Sequence, residues 1–361
     1  MNKDTYVVCA DVHASDYTAF SKPVEGKPYG SRLKTVLDAL TTMFERAKNE
    51  DASRAIIVGD LYNERKSISP IVTKAVTETL LNGVHMQPKG FELDIVVGNH
   101  DQQDNSPVPP NSVDIFETYS TDDYPICVYD TVTVDDNEDS GLIFVPYTEA
   151  SMEFKEDISN IKLDKDKNYI MFAHIGMSGA KSGKWTHKLG GNYTLEDVRY
   201  EDMDLVMMGH YHWRQNLADN VMYTGDLVPL NFNDEGQDKG FFVVKKPNDK
   251  FEAEFVPTKS PKFITIDLNS YEDDGNLKDA LKKNYVRVVT HNSKDTDTIR
   301  EMIKESHVAV ALETKQEIKQ ASRLDISAES SDSEIVKSYC DKYYPDVVKE
   351  AESYLIKAQE A

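Results

Sequence analysis

Residues 5–13 read Thr5-Tyr6-Val7-Val8-Cys9-Ala10-Asp11-Val12-His13, an apolar run that ends abruptly in a carboxylate and an imidazole. Apolar and β-branched residues without alternation suit a strand that is buried on both faces. The same pattern recurs along the chain. Ala55–Val58 runs into Gly59-Asp60, and Leu93–Val97 into Gly98-Asn99-His100-Asp101. Ile170–Ala173 runs into His174, and Leu205–Met208 into Gly209-His210-Tyr211-His212. Leu142–Val145 is a further apolar strand. From about Ser31, the residues Leu33, Val36, Leu37, Leu40, Met43, Phe44 and Ala47 share one helical face. Ser69-Pro70 opens a second helix, which Gly83 is expected to close. Strands alternating with helices, then strands in closer succession, predict a mixed α/β sandwich with helices outside.

The chain has 361 residues, 39% of them hydrophobic, enough for a large core and for two or three domains. That excludes a wholly disordered chain. Forty-one Lys+Arg against 63 Asp+Glu give a net charge of −22. Such a field repels a polyanion at long range, so nucleic acid could be held only through a local basic patch, bound metal ions or a partner. No apolar run approaches the length that spans a bilayer, and the N-terminus lacks the apolar segment of a secretory signal. Three distant cysteines, Cys9, Cys127 and Cys340, form neither a disulfide framework nor a zinc knuckle. These features point to a reduced cytoplasm, that of a bacterial cell or of a virus-infected host.

Polar clusters at the carboxyl ends of several strands converge on one edge of an α/β sheet, the usual place for its active site. In Asp11-x-His13 both side chains are expected to leave an extended backbone in the same direction and ligate one ion, and His210-x-His212 repeats the device. Gly59, Gly98 and Gly209 would let the backbone approach closely. Mixed oxygen and imidazole donors without thiolate disfavour structural zinc and favour Mn²⁺, with Fe²⁺, Zn²⁺ and Mg²⁺ as alternatives. Alone, each motif has a plainer reading as a cap, a turn or a core histidine. Five in order, each at a strand end, point to a dinuclear site.

The series DVH, GD, GNHD, His and GHYH resembles the calcineurin-like metallophosphoesterase superfamily. The resemblance implies that Asp11, His13 and His212 hold one metal, that Asn99, His174 and His210 hold the other, and that Asp60 bridges them. It makes His100 the catalytic histidine, protonating the leaving oxygen. Two divalent ions roughly 3.5–4 Å apart would clamp a phosphoryl oxygen and activate a water for in-line attack. Protein Ser/Thr phosphatases carry GDYVDRG, whereas this chain has Gly59-Asp60-Leu61-Tyr62-Asn63-Glu64-Arg65. Asn63 thus replaces the aspartate that would orient the histidine, which argues against a phosphoprotein phosphatase.

Beyond GHYHW, the segment Val221–Asp226, Leu230-Asn231-Phe232 and Asp238-Lys239-Gly240-Phe241 resembles SbcD-type DNA double-strand-break-repair nucleases, departing at Thr224 and Asp226. This resemblance implies a Mn²⁺-dependent DNA exonuclease/endonuclease, the nuclease subunit of an SbcCD-like complex with an SbcC-type SMC-like ATPase. It divides the chain into a nuclease domain (1–258), a small α/β capping domain (259–313), and a polar connector with a helical partner-binding tail (314–361). The capping domain would hold strands at Phe263–Leu268, Tyr285–Val289 and Val308–Leu312, with a helix at Thr296–Glu305. In the tail, Ile335, Val336, Tyr339, Tyr343, Tyr344, Val347, Val348, Tyr354 and Leu355 would dock on the partner. A flexible basic loop after His174 carries Lys181, Lys184, Trp185 and Lys188, suited to phosphates and an unpaired base. The alternative is a cyclic-nucleotide or small-molecule phosphodiesterase whose C-terminal region forms a homodimer.

Overall fold

The structure, a computed structural model, describes residues 1–136, 140–184, 186–269, 277–291, 297, 299–300, 310–314 and 331–359. The chain separates into two compact units, Met1–Glu313 and Thr314–Ala361.

The first unit is built on two six-stranded sheets. In one, β1 (Asn2–Cys9), β2 (Ala52–Val58), β3 (Glu92–Val96) and β4 (Ile126–Tyr129) run parallel, and β11 (Gly240–Lys245) and β12 (Glu252–Pro257) extend it antiparallel beside β1. In the other, β6 (Ser140–Val145), β7 (Asn168–His174), β8 (Leu205–Gly209) and β10 (Val221–Tyr223) run parallel. There β5 (Thr133–Asp136) and β9 (Gln215–Ala218) are the antiparallel edges.

The uninterrupted apolar runs are explained by burial on both faces. Tyr6, Val8, Ile56 and Val58 meet Phe144, Ile170, Phe172 and Met207 between the sheets, where Tyr129 stacks on Phe144 at 3.8 Å. Their alternates Val7, Cys9, Ala55 and Ile57 point outward, against α1 (Ser31–Asn49) and α2 (Pro70–His85). On the second sheet Ile143, Val145 and Met171 pack with Phe154 and Ile158 of α3 (Ser151–Asn160). Each fully buried Val, Ile or Phe contributes roughly 1.5–3 kcal/mol. This is the expected mixed α/β sandwich with helices outside.

Gly83 does not close α2. It is buried inside the helix, which runs on to His85 and is capped at Met86, whose N–H donates to Asn82 O. A Cβ at Gly83 would lie 2.2 Å from the Phe44 ring, so the glycine permits close packing of α2 on α1.

A third sheet contains β13 (Phe263–Asp267), β14 (Tyr285–Thr290) and β15 (Val310–Thr314), with α4 (Leu277–Lys283) between β13 and β14. The expected helix at 296–305 falls mostly outside the described residues, as do residues 315–330 of the connector. The second unit contains helices Asp332–Tyr343 and Val348–Gln359, the first opened by a reciprocal Ser331–Glu334 cap. Ile335, Tyr339, Tyr343, Tyr344, Val347 and Tyr354 are exposed. Among the described residues no helix is long and apolar enough to cross a membrane.

Candidate metal centre

The parallel strands deliver their carboxyl ends to one edge, and hydrogen bonds tie the segments that follow. Asp11 N–H donates to Gly59 O (3.1 Å), His13 N–H to Asp60 O (2.9 Å) and Ala14 N–H to Leu61 O (2.9 Å). These bonds hold the backbone in conformations that side chains resist. Asp11, His13, Asp60 and His210 have φ of 50°, 46°, 55° and 96°. Left-handed backbone at such residues costs of order 1–3 kcal/mol each and persists only where neighbours impose it. Asp11 and His13 therefore do not project from an extended chain as expected, because the chain has turned out of β1 before reaching them. Their side chains nevertheless converge.

Ligand atoms of Asp11, His13 and His212 lie within 4.8 Å of one another, as do those of Asp11, Asp60 and His174. Asp60 stands between the groups, its Oδ2 3.5 Å from His13 Nε2 and 3.4 Å from His174 Nε2. Asn99 Oδ1 lies 3.2 Å from His174 Nε2 and 2.9 Å from His210 Nδ1. All seven expected ligands are thus gathered in one place. Room for them depends on missing side chains. A Cβ at Gly59 (φ +82°) would sit 2.0 Å from His174 Nδ1, and one at Gly98 2.2 Å from Asp60 Oδ1.

The donor chemistry fits divalent ions. Nε2 atoms of His13 and His212 face each other at 3.1 Å, and the buried His13 Nδ1 has no hydrogen-bond partner among the described residues. Burial holds the His13 imidazole well below its usual pKa. Burial and the nearby His174 push His210 down to about 3, leaving a neutral ring with a lone pair to offer. For His174 burial acts downward, but the Asp60 and Asp11 carboxylates and the Val58 carbonyl together outweigh it and raise the pKa to about 9. A bound cation would displace that proton.

His100 is oriented by a group that no side-chain motif reveals. Its Nδ1 lies 2.6 Å from the main-chain oxygen of Asn63, while the main-chain N–H of His100 donates to Asp60 Oδ1 at 2.7 Å. A carbonyl only accepts, so Nδ1 carries the hydrogen and Nε2 keeps the lone pair.

Two further carboxylates complete the surroundings. Asp101 accepts main-chain N–H bonds from Asp60 (2.9 Å), Leu61 (3.0 Å), Tyr62 (3.3 Å) and Gly98 (3.0 Å), clamping the loops after β2 and β3 together. Asp226, fully buried, lies 3.4 Å from His212 Nδ1 and 3.5 Å from Lys239 Nζ. Lys239 also donates to His212 O at 2.6 Å and pairs with Asp234 at 2.8 Å. For Asp226 the signal was a lone charge in the otherwise uncharged stretch Val221–Leu230, whereas Asp101 sits among polar residues that do not set it apart.

The loop after His174 is pinned rather than loose. Ser178 N–H donates to Tyr193 O, Gly179 N–H to Leu189 O and Leu189 N–H to Ala180 O, at 2.8–2.9 Å. Lys181, Lys184 and Lys188 are exposed, and Lys184 pairs with Glu235 at 3.6 Å. Trp185 lies outside the described residues.

Residues 5–214 match the family model for the calcineurin-like phosphoesterase. The D subunit of the nuclease SbcCD from Staphylococcus saprophyticus subsp. saprophyticus is 26% identical over 129 residues, 34% of each chain. The match thus spans about a third of that relative's length. A dimetal phosphatase from Danio rerio is similar in structure at 11% identity and TM-score 0.43, over 72% of this chain and 97% of that one. A Thermus thermophilus protein gives 13% and 0.40, over 70% and 99%. The family match covers more than half of the sequence and every strand end that carries a candidate ligand: the chain belongs to the calcineurin-like phosphoesterase family, whose members are metal-dependent hydrolases.

Proposed function

We propose that the chain is a two-metal DNA phosphodiesterase, an exonuclease/endonuclease that works as the nuclease subunit beside an SMC-like ATPase in DNA repair or recombination. The observation that carries the chemistry is Asp60 standing between two groups of ligand atoms, with His100 adjacent. The nuclease half rests on the stretch similar to the D subunit of the nuclease SbcCD.

Asp11, His13 and His212 would hold one ion, Asn99, His174 and His210 the other, with Asp60 shared. Oxygen and imidazole donors favour Mn²⁺. Bound ions would polarise a phosphoryl oxygen and lower the pKa of a water. His100, with Nδ1 held by Asn63, would present Nε2 to the leaving oxygen. Residues 1–258 would act as the nuclease domain, 259–313 as a cap over the DNA, and 314–361 as the attachment to the ATPase through its exposed tyrosines. Lys181, Lys184, Trp185 and Lys188 would contact the strand, and the cytoplasm would be the working compartment.

The test is hydrolysis with Mn²⁺ of labelled DNA beside bis-p-nitrophenyl phosphate. The proposal expects both to be cleaved. Activity on the small ester with no DNA cleavage, even with the ATPase present, would favour the cyclic-nucleotide or small-molecule phosphodiesterase instead.

A further inference from the structure

On the His100 side of the centre, a cleft of about 390 Å³ opens between the loop after β2 and the loop after β3. Arg65 and Lys66 line it from the first loop, Gln103, Asn111 and Ser112 from the second. Both loops are tied to the catalytic region. Asn63, two residues before Arg65, holds His100 Nδ1, and Ser112 N–H donates to Asp101 O at 2.8 Å. Asp101, the residue after His100 in sequence, is part of its lining.

Its polar atoms are predominantly donors. Asn111 Oδ1 accepts from the N–H groups of Val113 (3.0 Å) and Asp114 (2.9 Å), which fixes the amide with Nδ2 as the remaining group. Asn111 Nδ2 and Ser112 Oγ are buried and have no hydrogen-bond partner among the described residues. Unpaired buried donors are uncommon, and their clustering marks a place that water or a ligand completes. Asp101 also lines the cleft, but its carboxylate is taken by four main-chain N–H groups. Arg65 Nη1 bonds Asn105 Oδ1 at 2.7 Å, which steadies the guanidinium at the wall, and Lys66 is exposed. Arg65 and Lys66 bring two cations to this wall, with the Asp104 carboxylate close enough to interact with both. The volume falls near the lower end of the roughly 300–1,000 Å³ typical of ligand sites, room for a phosphate with its sugar.

We propose that this cleft is a subsite for a second phosphate of the substrate, next to the scissile one on the leaving-group side. The inference rests on the reading of the chain as a phosphodiesterase and sharpens it: an oligonucleotide has a second phosphate to place there, and a cyclic nucleotide has none. Arg65 and Lys66 supply charge-assisted hydrogen bonds.

Binding of fluorescein-labelled oligothymidylates of increasing length, followed by anisotropy with Ca²⁺ replacing Mn²⁺, tests it. Affinity should rise about tenfold when the second phosphate is added. Lys66→Gln and Arg65→Gln should each remove most of that gain, and Lys66→Arg should keep it. Loss of hydrolysis of bis-p-nitrophenyl phosphate should be far smaller than the loss of binding of the longer strand. Equal affinity of the native protein for one-phosphate and two-phosphate strands would overturn the subsite, as would equal losses on both substrates. The two readings fail separately. Native protein that binds the longer strand through Lys66 but cuts no DNA keeps the subsite and loses the nuclease, whereas DNA cleavage and strand binding indifferent to Lys66→Gln do the reverse.

Discussion

His100 Nδ1 is held at 2.6 Å by the main-chain oxygen of Asn63, not by a side chain. The Asn63 amide turns elsewhere, donating to Glu64 Oε1 at 3.1 Å. A main-chain acceptor stands where the resemblance to GDYVDRG enzymes would lead one to expect a carboxylate, and it leaves the hydrogen on Nδ1. Substitution of the Asn63 side chain should therefore matter little beside loss of the imidazole. His100→Ala should lower turnover of bis-p-nitrophenyl phosphate by a factor on the order of 10²–10⁴. Asn63→Ala should cost only a small fraction of that, and comparable losses in the two variants would show that the side chain does the orienting.

Asp226 is buried behind His212, where a carboxylate can hold an imidazole ligand in place. Removing such a partner typically costs about 10–100-fold in metal affinity. Asp226→Asn should weaken Mn²⁺ binding by that order, measured by titration, with an unchanged circular dichroism spectrum. Unaltered affinity would leave Asp226 with only the pairing to Lys239.

Gly83 leaves space for the Phe44 ring, 2.2 Å from where a Cβ would sit. Gly83→Ala improves helix propensity but overpacks the α1–α2 contact, a change that typically costs about 1–3 kcal/mol. Urea unfolding should show a lower midpoint. A higher midpoint would mean that the helices separate at little expense.

Burial, then the carboxylates of Glu92 and Asp94, push the Cys127 thiol up to about 12. Its Sγ–H donates to Glu92 Oε1 at 3.3 Å, which favours the protonated form. Only the thiolate alkylates, so the native rate with iodoacetamide should still be climbing above pH 9, whereas an unfolded thiol levels off past about 8.5. The native state keeps a proton that the unfolded chain releases, so this group's contribution to stability is lost as pH rises from about 8.5 toward 12. A native alkylation profile that levels off near pH 9, by mass spectrometry of the Cys127 peptide, would contradict this.

The strands most legible in the sequence are those covered on both faces, where Val7-Val8 or Ile56-Ile57 leave no polar alternation to confuse the reading. Edge strands are another matter. Thr133–Asp136 is half exposed and half acidic, and becomes a strand because β6 offers it a partner. The side chains that gather as candidate ligands were legible because each polar cluster ends an apolar run. What positions them was not: left-handed backbone at Asp11 and His13 comes from hydrogen bonds to residues about 48 positions away in sequence, and the Asn63 contact uses an atom every residue has. Gly83 read as a terminator because its packing partner, Phe44, sits on another helix.

Calorimetric titration with Mn²⁺ of the native chain, Asp60→Ala and His100→Ala tests the two-ion centre most directly. Two ions are expected per native chain, two still in His100→Ala, and loss of metal binding in Asp60→Ala, since that carboxylate stands between both groups of candidate ligands. A native chain that binds a single ion, or a His100→Ala chain that loses one, would contradict this expectation.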